Sequence, residues 1–304
     1  MTEYRRGLVY GTSAYLLWGL FPLYWPLLEP AKPLEILAER MAWSMVVVAV
    51  ILRVTGGFSA VKAIYADRRA RSLLLAGAVF VTINWGTYIW GVNTHHVVET
   101  SLGYFINPLF TILLGVFVLG ERLRPMQWTA VAIGAIAVIV IAVDYGRPPW
   151  IALVLATSFG LYGFVKKRAG VGAVESMAVE TSAMFIPALI ALSVIGAQGH
   201  LAFGRHGAGN ALLLAGTGVV TVIPLLFFAA GTTRLPLSVL GLLQYLAPVL
   251  QFAVGVGIRH ESTPAAELAG FGLVWLALVV LSIDGLRSQR SAALAARAAA
   301  SAAV

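Results

Sequence analysis

Apolar runs of about twenty residues, separated by short polar connections, repeat along almost the whole chain. A helix of about that length spans the hydrocarbon core of a bilayer. Runs that meet the requirement fall near 8–26, 36–54, 72–93, 98–119, 126–143, 149–165, 176–196, 211–232, 236–257 and 266–284. The pattern predicts an all-α membrane protein of ten transmembrane helices, the sixth the shortest, with no connection long enough to hold a soluble domain. Past residue 286 the pattern dissolves into an Ala-rich stretch, 287–304, read as a disordered cytoplasmic tail. The first run follows Arg5-Arg6 as a signal peptide would, but it lacks a small-residue cleavage site and leads straight into further spans, so it is expected to be retained.

Composition agrees with a lipid environment. Of 304 residues, 60% are hydrophobic and 11% charged, against about a quarter charged in soluble domains, and the mean hydropathy is +0.88. The net charge of +8 does not indicate a nucleic-acid partner, because the basic residues sit in short connections and form no continuous face. Their placement sets orientation instead. With the N-terminus in the cytoplasm, sixteen of the 21 Lys and Arg fall on inner segments, among them Lys166, Lys167 and Arg168. Only Lys32, Arg147, Arg205 and Arg259 fall outside. Both termini are therefore expected to be cytoplasmic, in a bacterial inner membrane. There is no cysteine, which removes disulfides, thiolate metal sites and cysteine nucleophiles.

The chain reads as a duplication. At an offset of 140, Pro108, Gly115, Glu121 and Asp144 match Pro248, Gly255, Glu261 and Asp284. At 144, Tyr15-x-x-Trp18-Gly19 recurs as Phe159-x-x-Tyr162-Gly163, and at 141 Glu39 pairs with Glu180. The division is 1–145 and 146–286, five spans each. An odd number makes the second half enter from the opposite face, the inverted-repeat arrangement common among secondary transporters.

Charges inside a span are expensive and suggest function. Glu39 and Arg40 lie about one turn into span two, near its outer end, and Glu180 is similarly placed in span seven, near the inner end. They are candidates for proton or substrate coupling; the alternatives are snorkelling to the interface or mutual neutralisation as a structural pair. Trp18 and Tyr162, as repeat counterparts, and the polar and aromatic groups Asn84, Tyr88, Asn93, Tyr104 and Asn107 are candidates for a cavity wall. Amides and rings together suit a flat amphipathic solute, although buried amides also serve as interhelical glue. Gln244, Tyr245 and Gln251 could form the opposite wall. Pro108 and Pro248 interrupt corresponding spans, and paired interruptions point to a transport site.

His95, His96 and Glu99 occupy an outer connection, where His96 and Glu99 could gate in response to pH or simply be solvated. Adjacent histidines do not face one metal on a helix, and no metal or other cofactor is expected. Glu121 and Glu261 read as connection charges. Ala130-x-x-x-Gly134 and Ala266-x-x-x-Gly270 give spans five and ten small faces that could pack helices within the chain or join a homodimer. The phosphate-binding G-x-x-x-x-G-K-[ST] is missing, His260-Glu261 does not continue to a second histidine, and Ala156-Thr-Ser-Phe-Gly160 is no nucleophile elbow, so no enzyme is indicated.

Tyr15-x-x-Trp18-Gly19-x-x-Pro22-x-Tyr24, Asn84-Trp85-Gly86-x-Tyr88-Ile89-Trp90 and Ser101-Leu-Gly-Tyr-Phe-Ile-Asn-Pro108 resemble the RarD-type, chloramphenicol-sensitivity branch of the EamA family, in the drug/metabolite transporter superfamily. So do Tyr162-Gly163-x-x-Lys166-Lys167, Glu180-Thr181 and Gly241-Leu-Leu-Gln-Tyr-x-Ala-Pro248. The resemblance covers residues 7–285. It implies two inverted five-helix repeats around a central cavity lined by spans one to four and six to nine, with spans five and ten peripheral. It also implies transport, commonly outward, of a metabolite, amino acid or drug. The expected partners are then the lipid bilayer, a small-molecule substrate and protons. A passive facilitator and, further off, a membrane-embedded enzyme are the alternatives.

Overall fold

The computed structural model describes residues 2–93, 96–145 and 149–258, and past them 268–270, 272–273, 275–277, 279–280 and 283–284. The described residues are helical, with no strand. In chain order the helices are α1 (Glu3–Gly19), α2 (Phe21–Tyr24), α3 (Pro33–Thr55), α4 (Phe58–Ala66), α5 (Arg68–Asn93), α6 (Val97–Leu113) and α7 (Pro125–Tyr145). Then follow α8 (Trp150–Ala169), α9 (Ala173–Ala197), α10 (Gly207–Thr232), α11 (Leu237–Leu243) and α12 (Leu246–Gly257). A 3-10 turn, Trp25–Leu28, follows α2, and a wide π turn, Leu114–Val118, extends α6.

Local chemistry sets the ends. The Thr2 hydroxyl accepts from the Arg5 N–H at the start of α1, and Pro33, which has no N–H to leave unpaired, opens α3. Gly56 and Gly170 close α3 and α8 at φ 71° and 62°, the left-handed region that glycine enters without strain. The Asp67 carboxylate accepts from the Arg69 and Ala70 N–H groups at the head of α5.

Two predicted spans are not single helices. The run 8–26 is helical only to Gly19 and then breaks into α2 and the 3-10 turn, and the run 236–257 is split into α11 and α12 at Gln244–Tyr245. The connection after span two holds a helix of its own, α4, bent 112° from α3. By length and apolar content alone, three described helices could cross a membrane, Arg68–Gly91, Ala173–Ala197 and Gly207–Thr232, or four if α3 and α4 count together.

Most of the packing joins residues before position 145 to residues after it. The main partners are α5 with α8 and α9, α3 with α9 and α10, α1 with α10 and α12, and α6 with α8 and α11. Exchanging α1 with α8, α3 with α9, α5 with α10 and α6 with the α11–α12 pair maps this set of contacts onto itself. For example, α1·α10 becomes α8·α5, and α3·α10 becomes α9·α5. Small residues permit the close approaches. A Cβ on Gly218 would lie 2.5 Å from the Trp43 carbonyl carbon, and one on Gly241 would lie 2.9 Å from the Pro108 carbonyl oxygen.

One sequence reading needs correction and two gain detail. Lys166 is not a connection charge: it lies inside α8 with its side chain 2% exposed. Glu121 does lie in a connection, and its carboxylate accepts from the Leu237 and Ser238 N–H groups at 2.7 and 2.8 Å and caps α11. The small face of α7 is used within the chain. Ala130 is buried, and a Cβ on Gly134 would lie 2.5 Å from the Tyr245 hydroxyl, so this face is not free for a second copy. Glu261 and Ala266 fall outside the described residues.

Candidate functional site

Two prolines place the helix breaks. A proline inside a helix has no N–H for the carbonyl four residues earlier and crowds it. For Pro248 that carbonyl belongs to Gln244, where α11 stops. For Pro22 it belongs to Trp18, near the end of α1. The Trp18 carbonyl is instead met by the Gln251 side chain, whose Nε2 donates across 3.2 Å from α12. The two breaks therefore lie against each other, and a cavity opens beside them. Its empty space is about 900 Å3, counting the part open to solvent.

The cavity is walled by Tyr15 and Trp18 of α1, by Phe21, Pro22 and Trp25 of the first break, and by Arg40 of α3. Asn84, Trp85 and Tyr88 of α5, Tyr104 and Asn107 of α6 and Phe159 of α8 continue the wall, which Gln244, Ala247, Pro248 and Gln251 complete. Arg40 is the one ionised group among these lining residues. Its guanidinium carbon sits 4.8 Å from the Trp25 ring centre and 4.3 Å from that of Trp85, a cation held against two π faces. Its Nε donates to the Thr221 hydroxyl of α10 at 3.0 Å.

The amides differ in what they offer. Asn84 Nδ2 donates to the Leu155 carbonyl at 2.8 Å and to the Ser158 hydroxyl at 3.1 Å, tying α5 to α8. Asn107 Oδ1 accepts from Thr111 at 3.4 Å. Gln244 Oε1 and the Tyr15 hydroxyl are buried without a hydrogen-bond partner, an arrangement that costs about 1–3 kcal/mol per group.

Behind the cavity lies an aromatic layer and then an ion pair. Trp18, Tyr15 and Phe159 pack on Phe228, and Phe228 stacks on Tyr162 at 5.7 Å. Tyr162 donates to Glu180 at 3.1 Å. Lys166 Nζ meets both Glu180 oxygens at 2.7 and 2.8 Å and Ser176 at 2.9 Å. Glu180 is 1% exposed and Lys166 3%.

Of the residues read from sequence as wall candidates, Trp18, Asn84, Tyr88, Tyr104, Asn107, Gln244 and Gln251 line this cavity, with Pro248 beside them. Tyr162 does not line it, because it serves the Glu180 cluster. Tyr245 does not either; it is 1% exposed and packs among Leu102, Phe105, Ala137 and Ala152. Pro108 does not open its helix. α6 runs through it unbroken, so the partner of the Pro248 break is the one at Pro22.

Glu39 and Arg40 do not neutralise each other. Glu39 accepts from Trp43 Nε1 at 2.8 Å, while Arg40 turns to the two tryptophans. His96 stacks on Trp90 at 5.5 Å. His95 and the side chains of Asn93 and Glu99 lie outside the described residues. Sequence reasoning missed Phe21, Pro22, Trp25 and Phe159 as wall residues. Phe159 matches Tyr15 at the sequence offset of 144, and both line the cavity.

Comparison with known proteins places this architecture. Residues 5–143 match the EamA-like transporter family. The chain belongs to the EamA family, in its RarD-type branch. It is 54% identical to Protein RarD of Streptomyces exfoliatus, over 95% of this chain and 91% of that protein. It is 40% identical to Uncharacterized transporter YojE of Bacillus subtilis (strain 168), over 95% and 97%. A protein of known crystal structure superposes with a TM-score of 0.69, covering 90% of this chain and 97% of that one at 19% identity, which speaks for a shared fold.

Proposed function

We propose that this protein is a secondary transporter that exports a small amphipathic solute across the bacterial inner membrane by alternating access. The polypeptide threads the bilayer ten times as two inverted five-helix repeats, with both termini cytoplasmic. The observation that carries the reading is the cavity at two abutting helix breaks, one from each half of the chain, because broken helices at a repeat interface are how carriers expose polar groups to a solute within the membrane. The self-mapping of the helix contacts supports the repeat, and the named transporters among the relatives support the activity.

On this threading Trp25 and Arg40 lie toward the outer face, and the Lys166–Glu180 pair lies toward the inner one. The structure is then closed on the cytoplasmic side by the aromatic layer and the ion pair. Alternation parts Lys166 from Glu180 as the outer side shuts. Glu39 and Glu180 are the candidate proton-coupling groups.

The test is solute flux in proteoliposomes with and without an imposed proton gradient, using a panel that includes chloramphenicol. Gradient-dependent flux that disappears in Glu39→Gln or Glu180→Gln supports the coupled carrier. Flux indifferent to the gradient and to both substitutions points to a passive facilitator. Chemical conversion of a solute without its movement points to an enzyme.

A further inference from the structure

We propose that the cavity recognises a monovalent organic anion, a carboxylate on a flat ring system, with Arg40 as its receptor. This rests on the cavity being the solute site. Arg40 is more than nine-tenths buried, and among the described residues no carboxylate pairs with it. Its neighbour Glu39 is engaged by Trp43, and Glu180 by Lys166. A lone buried cation is costly in a membrane interior. The flanking rings of Trp25 and Trp85 offset part of that penalty without neutralising the charge.

The geometry selects the ligand. Thr221 takes Nε, which leaves the end of the guanidinium, Nη1 and Nη2, with no hydrogen bond among the described residues. That end presents the paired donors that fit the two oxygens of a carboxylate. One positive charge matches one negative charge, so a phosphate monoester would bring a surplus. No acidic side chain lines the cavity, so nothing there repels an anion or balances a second cation. Asn107, whose Oδ1 is occupied by Thr111, has its amide N–H groups to give. The ring of the ligand would lie among Trp18, Tyr88, Tyr104 and Phe159, aromatic faces on the same wall.

Calorimetric titration of the purified full-length protein in detergent would decide this. The probes are phenylacetate, cinnamate and 4-hydroxybenzoate, each compared with its primary amide, which has nearly the same shape and no charge. At least one acid should bind tenfold or more tightly than its amide. Arg40→Met should bring that ratio close to one, the acid losing far more affinity than its amide. If Arg40→Met does not fold, Arg40→Lys keeps the charge without the fork and should retain only part of the preference.

If no acid outbinds its amide, or if the preference survives in Arg40→Met, the assignment is wrong. Acid-selective binding without flux in proteoliposomes would overturn the transport reading and leave the anion site standing. Flux that carries amides as readily as acids would do the reverse.

Discussion

At the residue scale, the buried charges in and behind the cavity wall are held in two ways. Lys166 and Glu180 satisfy each other, with Ser176 and Tyr162 taking up further hydrogen-bonding capacity. Removing one member of such a pair strands the other, at a penalty of about 3–5 kcal/mol, whereas replacing both is often tolerated. Lys166→Met is therefore expected to lower thermal stability in detergent sharply, and Lys166→Met/Glu180→Leu to recover most of the loss. A double variant no more stable than the single one would show that the pair does not act as a unit. Arg40 is held in the other way, by rings and one hydroxyl. The sequence placed Glu39, Arg40 and Glu180 within spans, but spacing along a helix does not reveal partners on other helices. Glu39 and Arg40 look paired in sequence because they are adjacent, and successive residues on a helix point about 100° apart. The partner of Glu180 was missed, because Lys166 stands beside Lys167 and Arg168 and was grouped with them.

At the element scale, the apolar runs located the helices well and the breaks poorly. Hydropathy follows side chains, and a run such as 8–26 stays apolar straight through the point where Pro22 withholds a backbone hydrogen bond. Pro108 shows the converse, since a proline can be accommodated in a continuous helix when its surroundings permit it. Whether a proline bends, breaks or is absorbed depends on neighbours that one sequence does not display. Close approaches carry their own prediction. α10 can lie against α3 only because Gly218 leaves room for the Trp43 backbone, and backbone cannot rotate aside as a side chain can. Gly218→Ala should destabilise the protein by about 1–3 kcal/mol, read as a fall in thermal midpoint. A change within error would mean that the two helices slide apart freely.

At the scale of the whole molecule, the two halves are not separate bodies laid side by side. The principal contacts of α1, α3 and α5 are with α8, α9, α10 and α12, so each half finds its packing surface on the other. A polypeptide of residues 1–145 or 146–286 produced alone should be degraded or aggregate. The two co-produced should accumulate and co-purify, and a stable, monodisperse single half in detergent would refute the prediction. The sequence offsets linked the two halves residue by residue but did not show that the halves pack on each other. At the offset of 144 that matches Trp18 to Tyr162, the residue corresponding to Lys166 is Pro22. One copy of the motif therefore ends in a buried ion pair and the other in a broken helix.

The stitch between the Gln251 amide and the Trp18 carbonyl carries a consequence for leakage. On the proposed threading, pulling α1 away from α12 would bare a main-chain oxygen at membrane depth, at a cost of about 1–3 kcal/mol until another donor reaches it. An unloaded molecule is thereby discouraged from gaping at this seam, while a solute or a water able to donate to the freed oxygen would make the parting tolerable. In the carrier proposed above, a single amide would in this way help keep the vacant molecule from becoming a hole.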